Sequence, residues 1–224
     1  MSLIVKICGL SNEETLDAAF AAGVDMVGFN FFPKSPRFVA PERAADLAKR
    51  VAGRAEIVAV TVAMDDAGIA EIVEKLSPDW LQLHGAETPE RVADVRKRFG
   101  RPVMKAVAIA TTDDLALAEA YVAVADRLLL DAKPPKGAVL PGGNGAPFDW
   151  VLLSGFDPDI PWMLSGGLTP GNVAEAVAMT GAPGVDVSSG VESAPGRKEA
   201  NLIRAFIANA RGAGAASLIV RAAS

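Results

Sequence analysis

The only cysteine of the chain, Cys8, closes the first apolar run, Leu3-Ile4-Val5-Lys6-Ile7-Cys8-Gly9, and Asp131 closes another, Leu128-Leu129-Leu130-Asp131. In enzymes built from parallel strands the chemistry gathers at the C-terminal strand ends. A thiol and a carboxyl at two such ends are therefore a candidate base and a candidate acid for proton transfer. A free cysteine taken alone is as readily a small buried hydrophobe, so the second group carries the argument. By the period of two along a strand, Lys6 lies on the same side as Cys8, where its charge is expected to raise the thiolate fraction.

Two loops have the composition of an anion cradle. Ser165-Gly166-Gly167-Leu168 and Ser188-Ser189-Gly190 follow the last two apolar runs. Small residues let backbone N–H groups converge on a phosphate, and serine hydroxyls add donors. Gly166, Gly167, Ser188, Ser189 and Gly190 are the candidate phosphate-binding residues; turning alone is the plainer reading. Arg37, in the proline-bounded stretch Pro33-Lys34-Ser35-Pro36-Arg37, offers a fork for a substrate carboxylate. Asp186 near the end of the last run could orient hydroxyl or amine groups. His84, ending Gln82-Leu83-His84, faces the same mouth but has no partner visible in sequence.

The elements that must position these groups alternate. Short apolar runs predict strands at Ile4 to Ile7, Met26 to Phe29, Ile57 to Val62, Trp80 to Leu83, Val103 to Val107, Leu128 to Asp131, Trp162 to Ser165 and Gly184 to Val187. Helical patterns separate them, at Asn12 to Ala22, Pro41 to Ala52, Asp66 to Lys75, Pro89 to Phe99, Thr112 to Ala123, Phe148 to Leu153 and Pro170 to Thr180. A last helix is predicted from Lys198 to Arg211, followed by an Ala/Gly-rich tail from about Gly212 left without structure. Strand–helix alternation of this kind predicts a parallel sheet under helices, and eight units predict one α/β domain over residues 1–224, a closed (β/α)8 TIM barrel. An open doubly wound sheet is the alternative. The connections Phe31 to Val39 and Ala132 to Pro147 exceed plain turns, and the second, with Gly142-Gly143-Asn144-Gly145, has the glycine content of a lid.

Composition narrows the function classes. The chain has 224 residues, half of them hydrophobic, and a formal net charge of -5, which speaks against a nucleic-acid partner. One cysteine leaves no internal disulfide, and one histidine makes a His-rich metal centre implausible. No signal-peptide profile and no membrane-length apolar stretch is present, so a cytoplasmic protein with no membrane partner is expected. No extended apolar stripe is evident, and a monomer is expected. A cysteine-protease reading is poor, since it needs a partner histidine and usually a third orienting group, and no G-x-G-x-x-G opens the first unit.

Taken together, these residues resemble one family, the phosphoribosylanthranilate isomerases. The carrying motifs are Lys6-Ile7-Cys8-Gly9, Gly28-Phe29 with Pro33-Lys34-Ser35-Pro36-Arg37, Gln82-Leu83-His84-Gly85, and Leu130-Asp131. They continue with Gly142-Gly143-Asn144-Gly145 and Phe148-Asp149-Trp150, Ser165-Gly166-Gly167-Leu168, and Val185-Asp186-Val187-Ser188-Ser189-Gly190-Val191-Glu192. The resemblance implies an Amadori rearrangement of N-(5-phosphoribosyl)anthranilate in tryptophan biosynthesis, without cofactor or metal. It implies Asp131 as general acid on the ribose ring oxygen and Cys8, as thiolate, removing the C2′ proton. Arg37 would contact the anthranilate end, with His84 and Asp186 also at the substrate.

The chain departs from the family in the sixth loop. The usual Gly-Gly-Thr-Gly, then Lys or Arg and Thr before Phe-Asp-Trp, is here interrupted by Asn144, Ala146 and Pro147. The missing positive residue implies altered affinity for the dianionic substrate or altered lid behaviour, with acid and base kept. Two other readings stand beside this one. A phosphosugar aldolase or lyase would use Lys105 or Lys133 as a Schiff-base nucleophile. A non-catalytic phosphate-ligand binder would need neither Cys8 nor Asp131.

Overall fold

Residues 2–134, 137, 142–143 and 148–222 are described by the computed structural model. Eight parallel strands close on one another: β1 (Ile4–Cys8), β2 (Met26–Asn30), β3 (Glu56–Thr61), β4 (Trp80–Leu83), β5 (Val103–Ile109), β6 (Arg127–Ala132), β7 (Trp162–Leu164) and β8 (Gly184–Val187). β1 pairs with both β2 and β8, which excludes the open doubly wound sheet. The strands read as near-continuous apolar runs because both faces are covered. Leu3, Val5, Ile7, Val27, Phe29, Leu81, Leu83, Leu128, Leu130, Leu164, Val185 and Val187 pack outward against the helices. Met26, Val58, Val60, Met104, Ala106, Leu129 and Met163 fill the interior together with Cys8.

The helices are α1 (Glu13–Ala21), α2 (Pro41–Val51), α3 (Asp66–Leu76), α4 (Pro89–Phe99), α5 (Thr112–Glu119), α6 (Val173–Thr180) and α7 (Ala200–Ala222). Local chemistry sets most of their starts. Asn12, Asp65 and Thr88 each accept an N–H of the first turn, and Thr111 with Asp114 forms a reciprocal capping box. Such caps are each worth about 1 kcal/mol. α4 ends on Gly100 in the left-handed conformation that needs no Cβ.

Three sequence expectations are corrected. The helix expected at Phe148 to Leu153 is only a 3-10 turn, Trp150–Leu153, too short for the regular i to i−4 bonding of an α-helix. Lys198 does not begin the last helix. It lies in β10 (Arg197–Lys198), which pairs antiparallel with β9 (Glu192–Ala194) in a small hairpin turning at Pro195-Gly196. α7 then runs to Ala222, through the tail expected to lack structure, because alanine is the strongest helix former and offsets Gly212 and Gly214. Among the described residues no helix is long and apolar enough to cross a membrane.

Candidate active site

The C-terminal strand ends converge on one cleft lined by Cys8, Arg37, His84, Asp131, Gly166, Gly167, Asp186, Ser188 and Ser189. Residues far apart in sequence are brought together by closure of the barrel. Cys8 arrives on β1, His84 just past β4, Asp131 on β6 and Asp186 on β8. Gly142 and Gly143 of the sixth loop also line it; Asn144, Gly145, Ala146 and Pro147, where the lid and the family departure were read, lie outside the described residues.

Cys8 is buried beside a buried ion pair. Lys6 and Asp186 are register partners on β1 and β8, and Lys6 Nζ donates to Asp186 Oδ1 at 2.9 Å. Asp186 Oδ2 accepts from Ser165 Oγ at 3.3 Å. Burial acts to lower the Lys6 pKa, but the charge and hydrogen bond of Asp186, with a contribution from neighbouring Cys8, outweigh it and hold the ammonium above its ordinary value. For Cys8 the balance goes the other way. Burial pushes the thiol up, and Asp186 adds to the rise, while Lys6 and Lys198 pull down without cancelling it. Lys6 does favour the thiolate, as its placement suggested, yet desolvation is larger and the resting group is a thiol.

Asp131 is nearly buried, and its Oδ1 accepts the N–H of Ala132 at 2.9 Å. His84 Nε2 lies 3.1 Å from Asp131 Oδ2, and His84 Nδ1 lies 2.8 Å from the amide nitrogen of Gln82. The partner that the sequence did not reveal for His84 is thus the candidate acid itself. A carboxyl group bonded to a group that can exchange a proton, and opening on a cleft, has the surroundings of a proton-transfer residue.

Arg37 comes to the cleft with its fork half occupied. Its Nε and Nη2 donate to Glu192 at 2.7 and 2.9 Å, and Nη2 also reaches the Gly143 carbonyl at 3.4 Å. Glu192 is shared: Lys198 Nζ donates to it at 2.6 Å, and to the Ser188 carbonyl and hydroxyl at 3.0 and 3.2 Å. Burial opposes ionisation of Glu192, but Arg37 and Lys198 outweigh it and hold the carboxyl below its ordinary value. Burial is the larger influence on Lys198, whose pKa falls despite Glu192 and Cys8. Glu192 and Lys198 were not singled out as site residues from sequence. Glu192 stood at the end of a quoted motif, and the β9–β10 hairpin that presents both has no periodic signature.

Four of the five candidate phosphate-binding residues line the cleft. Gly166, Gly167, Ser188 and Ser189 face the cleft, but Gly190 does not line it. A Cβ at Gly190 would overlap the Leu168 carbonyl oxygen, so its missing side chain lets the loops after β7 and β8 close against each other. Gly166 has φ +86° and packs on the backbone of Ala132, a conformation and a clearance only glycine meets. The two lysines proposed as Schiff-base nucleophiles are placed elsewhere. Lys105 Nζ is held by Glu87 at 2.8 Å and by the Gly85 carbonyl, while Lys133 Nζ pairs with Asp114 at 2.8 Å; neither lines the cleft. Among the described residues no group of three His, Cys, Asp or Glu side chains gathers as a metal set.

The arrangement is shared with known proteins. The family model for N-(5′-phosphoribosyl)anthranilate (PRA) isomerase matches residues 5–209. An N-(5′-phosphoribosyl)anthranilate isomerase of Rhodopseudomonas palustris strain HaA2 is 61% identical over 207 residues, covering 92% of this chain and 95% of the relative. One from Bradyrhizobium diazoefficiens is 59% identical over 211 residues, covering 94% and 95%. The crystal structure of the Thermotoga maritima phosphoribosyl anthranilate isomerase superposes with a TM-score of 0.85 at 35% identity, covering 94% of this chain and 99% of that one. A phosphoribosyl anthranilate isomerase crystallised with reduced 1-(o-carboxyphenylamino)-1-deoxyribulose 5-phosphate superposes with a TM-score of 0.82 at 34% identity, covering 94% and 99%. This chain belongs to the N-(5′-phosphoribosyl)anthranilate isomerase family.

Proposed function

We propose that the cleft converts N-(5′-phosphoribosyl)anthranilate to 1-(2-carboxyphenylamino)-1-deoxyribulose 5-phosphate, an aldose–ketose isomerisation in tryptophan biosynthesis. The observation that carries the residue roles is that Cys8 and Asp131 open on one cleft, between a small-residue anion cradle and the Arg37 fork. Gly166, Gly167, Ser188 and Ser189 hold the phosphate, with Gly190 acting through the packing of the two loops. Arg37 takes the anthranilate carboxylate on the part of its guanidinium that Glu192 leaves to the cleft.

Asp131 donates a proton to the ribose ring oxygen as the C1′–O bond breaks and the anilino nitrogen lone pair forms the C=N bond. Cys8, once its thiol proton has passed to solvent, removes the C2′ proton as the thiolate, and the C–H electrons neutralise the iminium to give the enolamine. Proton uptake at C1′ and loss from the C2′ hydroxyl give the ketone. Each such proton transfer contributes about 10²- to 10⁴-fold. Lys6 supports departure of the Cys8 proton, because its charge offsets part of the cost of a buried thiolate. Asp186 fixes Lys6 and faces the cleft, where it serves substrate hydroxyl groups.

A phosphorylated sugar substrate and a lone free thiol fit a cytoplasmic protein. Among the described residues the exposed large apolar side chains Phe38, Leu117, Val151 and Met179 sit on separate segments, which favours a monomer. The Thermotoga relative is described as dimeric, and sedimentation at micromolar concentration decides between the two. Purified protein should quench the fluorescence of freshly prepared phosphoribosylanthranilate with multiple turnovers. A stoichiometric change without turnover would point to the binding reading, and borohydride trapping of substrate on a lysine to the aldolase reading.

A further inference from the structure

The hydrogen bonds around His84 fix a protonation state that the acid step must change. Gln82, fully buried in the barrel interior, presents its amide nitrogen to His84 Nδ1 at 2.8 Å. An amide nitrogen only donates, so Nδ1 accepts, and the neutral ring must then carry its proton on Nε2. That N–H points at Asp131 Oδ2 across 3.1 Å, so Oδ2 is the acceptor of this bond. An oxygen that accepts here has no proton to pass to a ring oxygen.

The opposite state needs the amide to turn and one proton to be taken up from solvent. With the Gln82 oxygen facing Nδ1, the incoming proton sits on that nitrogen, the Nε2 proton passes to Asp131 as O–H, and Nε2 becomes the acceptor. The turn breaks no hydrogen bond made by the amide oxygen, since Gln82 Oε1 is buried without a hydrogen-bond partner among the described residues. The orientation of Gln82, the tautomer of His84 and the protonation of Asp131 are therefore one coupled variable.

We propose that Gln82 is a positioning residue for the acid step: its amide selects the His84 tautomer and so decides whether Asp131 enters the reaction protonated. This rests on the reading of Asp131 as the acid. In the free enzyme the amide nitrogen faces the ring and Asp131 Oδ2 accepts from Nε2. Binding of the dianionic substrate, with uptake of one proton, turns the amide and leaves Asp131 protonated. Gln82 does not line the cleft, so it acts through His84 and touches no substrate.

The chain has a single histidine, so its imidazole nitrogens give an unambiguous 15N spectrum. In the free protein, Nε2 is expected to be pyrrole-like and Nδ1 pyridine-like. On binding reduced 1-(o-carboxyphenylamino)-1-deoxyribulose 5-phosphate, the two should exchange character. Gln82→Met should abolish the exchange and lower kcat about tenfold or more with KM within about twofold. Gln82→Glu, which accepts only, should hold Nδ1 protonated and recover more kcat than Gln82→Met. Unchanged 15N character on ligand binding in wild-type protein, or wild-type kcat in Gln82→Met, would overturn the proposal. Asp131→Asn separates the two failures: if it keeps its rate, the acid assignment is wrong, and if it is inactive while Gln82→Met is normal, only the role of Gln82 falls.

Discussion

Lys6 and Asp186 face each other in register on neighbouring strands, and their 2.9 Å ion pair sits fully inside the barrel beside Cys8. The pair pulls the thiol in two directions, Lys6 toward ionisation and Asp186 away from it. Substitutions at the two positions should therefore shift Cys8 oppositely. Because Cys8 is the only cysteine, the pH dependence of its alkylation by iodoacetamide reads that shift directly. Lys6→Met should move the titration to higher pH and Asp186→Asn to lower pH. A shift in the same direction for both would contradict the electrostatic account.

The same pair predicts a stability pattern. Removing one member leaves a buried charge without its partner, which typically costs about 3–5 kcal/mol. The double variant Lys6→Met/Asp186→Asn should lose less than the sum of the singles in urea unfolding, because no full charge is left stranded. Additive losses would mean that the two groups are stabilised independently.

Glu192 should govern substrate affinity through Arg37. It binds two nitrogens of the fork and also neutralises Lys198, which in turn holds Ser188 beside the phosphate cradle. Glu192→Gln should raise KM about ten- to a hundredfold while kcat falls less, the signature of lost uniform binding. The defect should be smaller for a phosphoribosyl aniline lacking the carboxylate. Equal defects on both substrates would show that Glu192 acts through Lys198 and the phosphate cradle rather than through Arg37.

Glu192 also predicts a pH dependence. Its carboxyl is held below the ordinary value near 4.5 in the folded protein, so its contribution to stability is present above about pH 4.5 and fades as pH falls through the lowered folded value. The stability gap between wild type and Glu192→Gln, followed by urea unfolding, should be widest at neutral pH and shrink below pH 4.5. A gap that widens on acidification would reverse the assigned sign.

Much of this arrangement was legible in sequence because it depends on local pattern. The eight strand positions follow from short apolar runs, and Cys8 and Asp131 are visible because each ends one. What escaped is held by contacts across the barrel. Arg37 and Glu192 are separated by 155 positions, so neither composition nor periodicity joins them. Gln82 stood in a quoted motif with no role assigned; it lies two positions before His84, on the same face by the strand period, and the structure shows it buried with its amide against the ring. Gly190 read as cradle because small residues mark both anion loops and tight packing; the nearby Leu168 carbonyl distinguishes the two. The Ala/Gly-rich tail was assigned no structure because a chain terminus carries few packing signals, yet α7 continues through it.

Gly190→Ala tests that packing role. The added methyl has no room against the Leu168 carbonyl, so the loops after β7 and β8 must part. KM for the phosphorylated substrate should rise several-fold, with a matching loss in affinity for inorganic phosphate as a competitive inhibitor. Unchanged phosphate inhibition would show that the two loops bind anions independently of this contact.

The central claim is that Asp131 supplies and Cys8 removes the protons of the rearrangement. Steady-state consumption of phosphoribosylanthranilate by wild type, Cys8→Ala and Asp131→Asn tests it most directly, with circular dichroism confirming that each variant is folded. The account predicts a loss of at least about 10²-fold in kcat for each folded variant. A folded Cys8→Ala or Asp131→Asn protein that retains near wild-type kcat would contradict it.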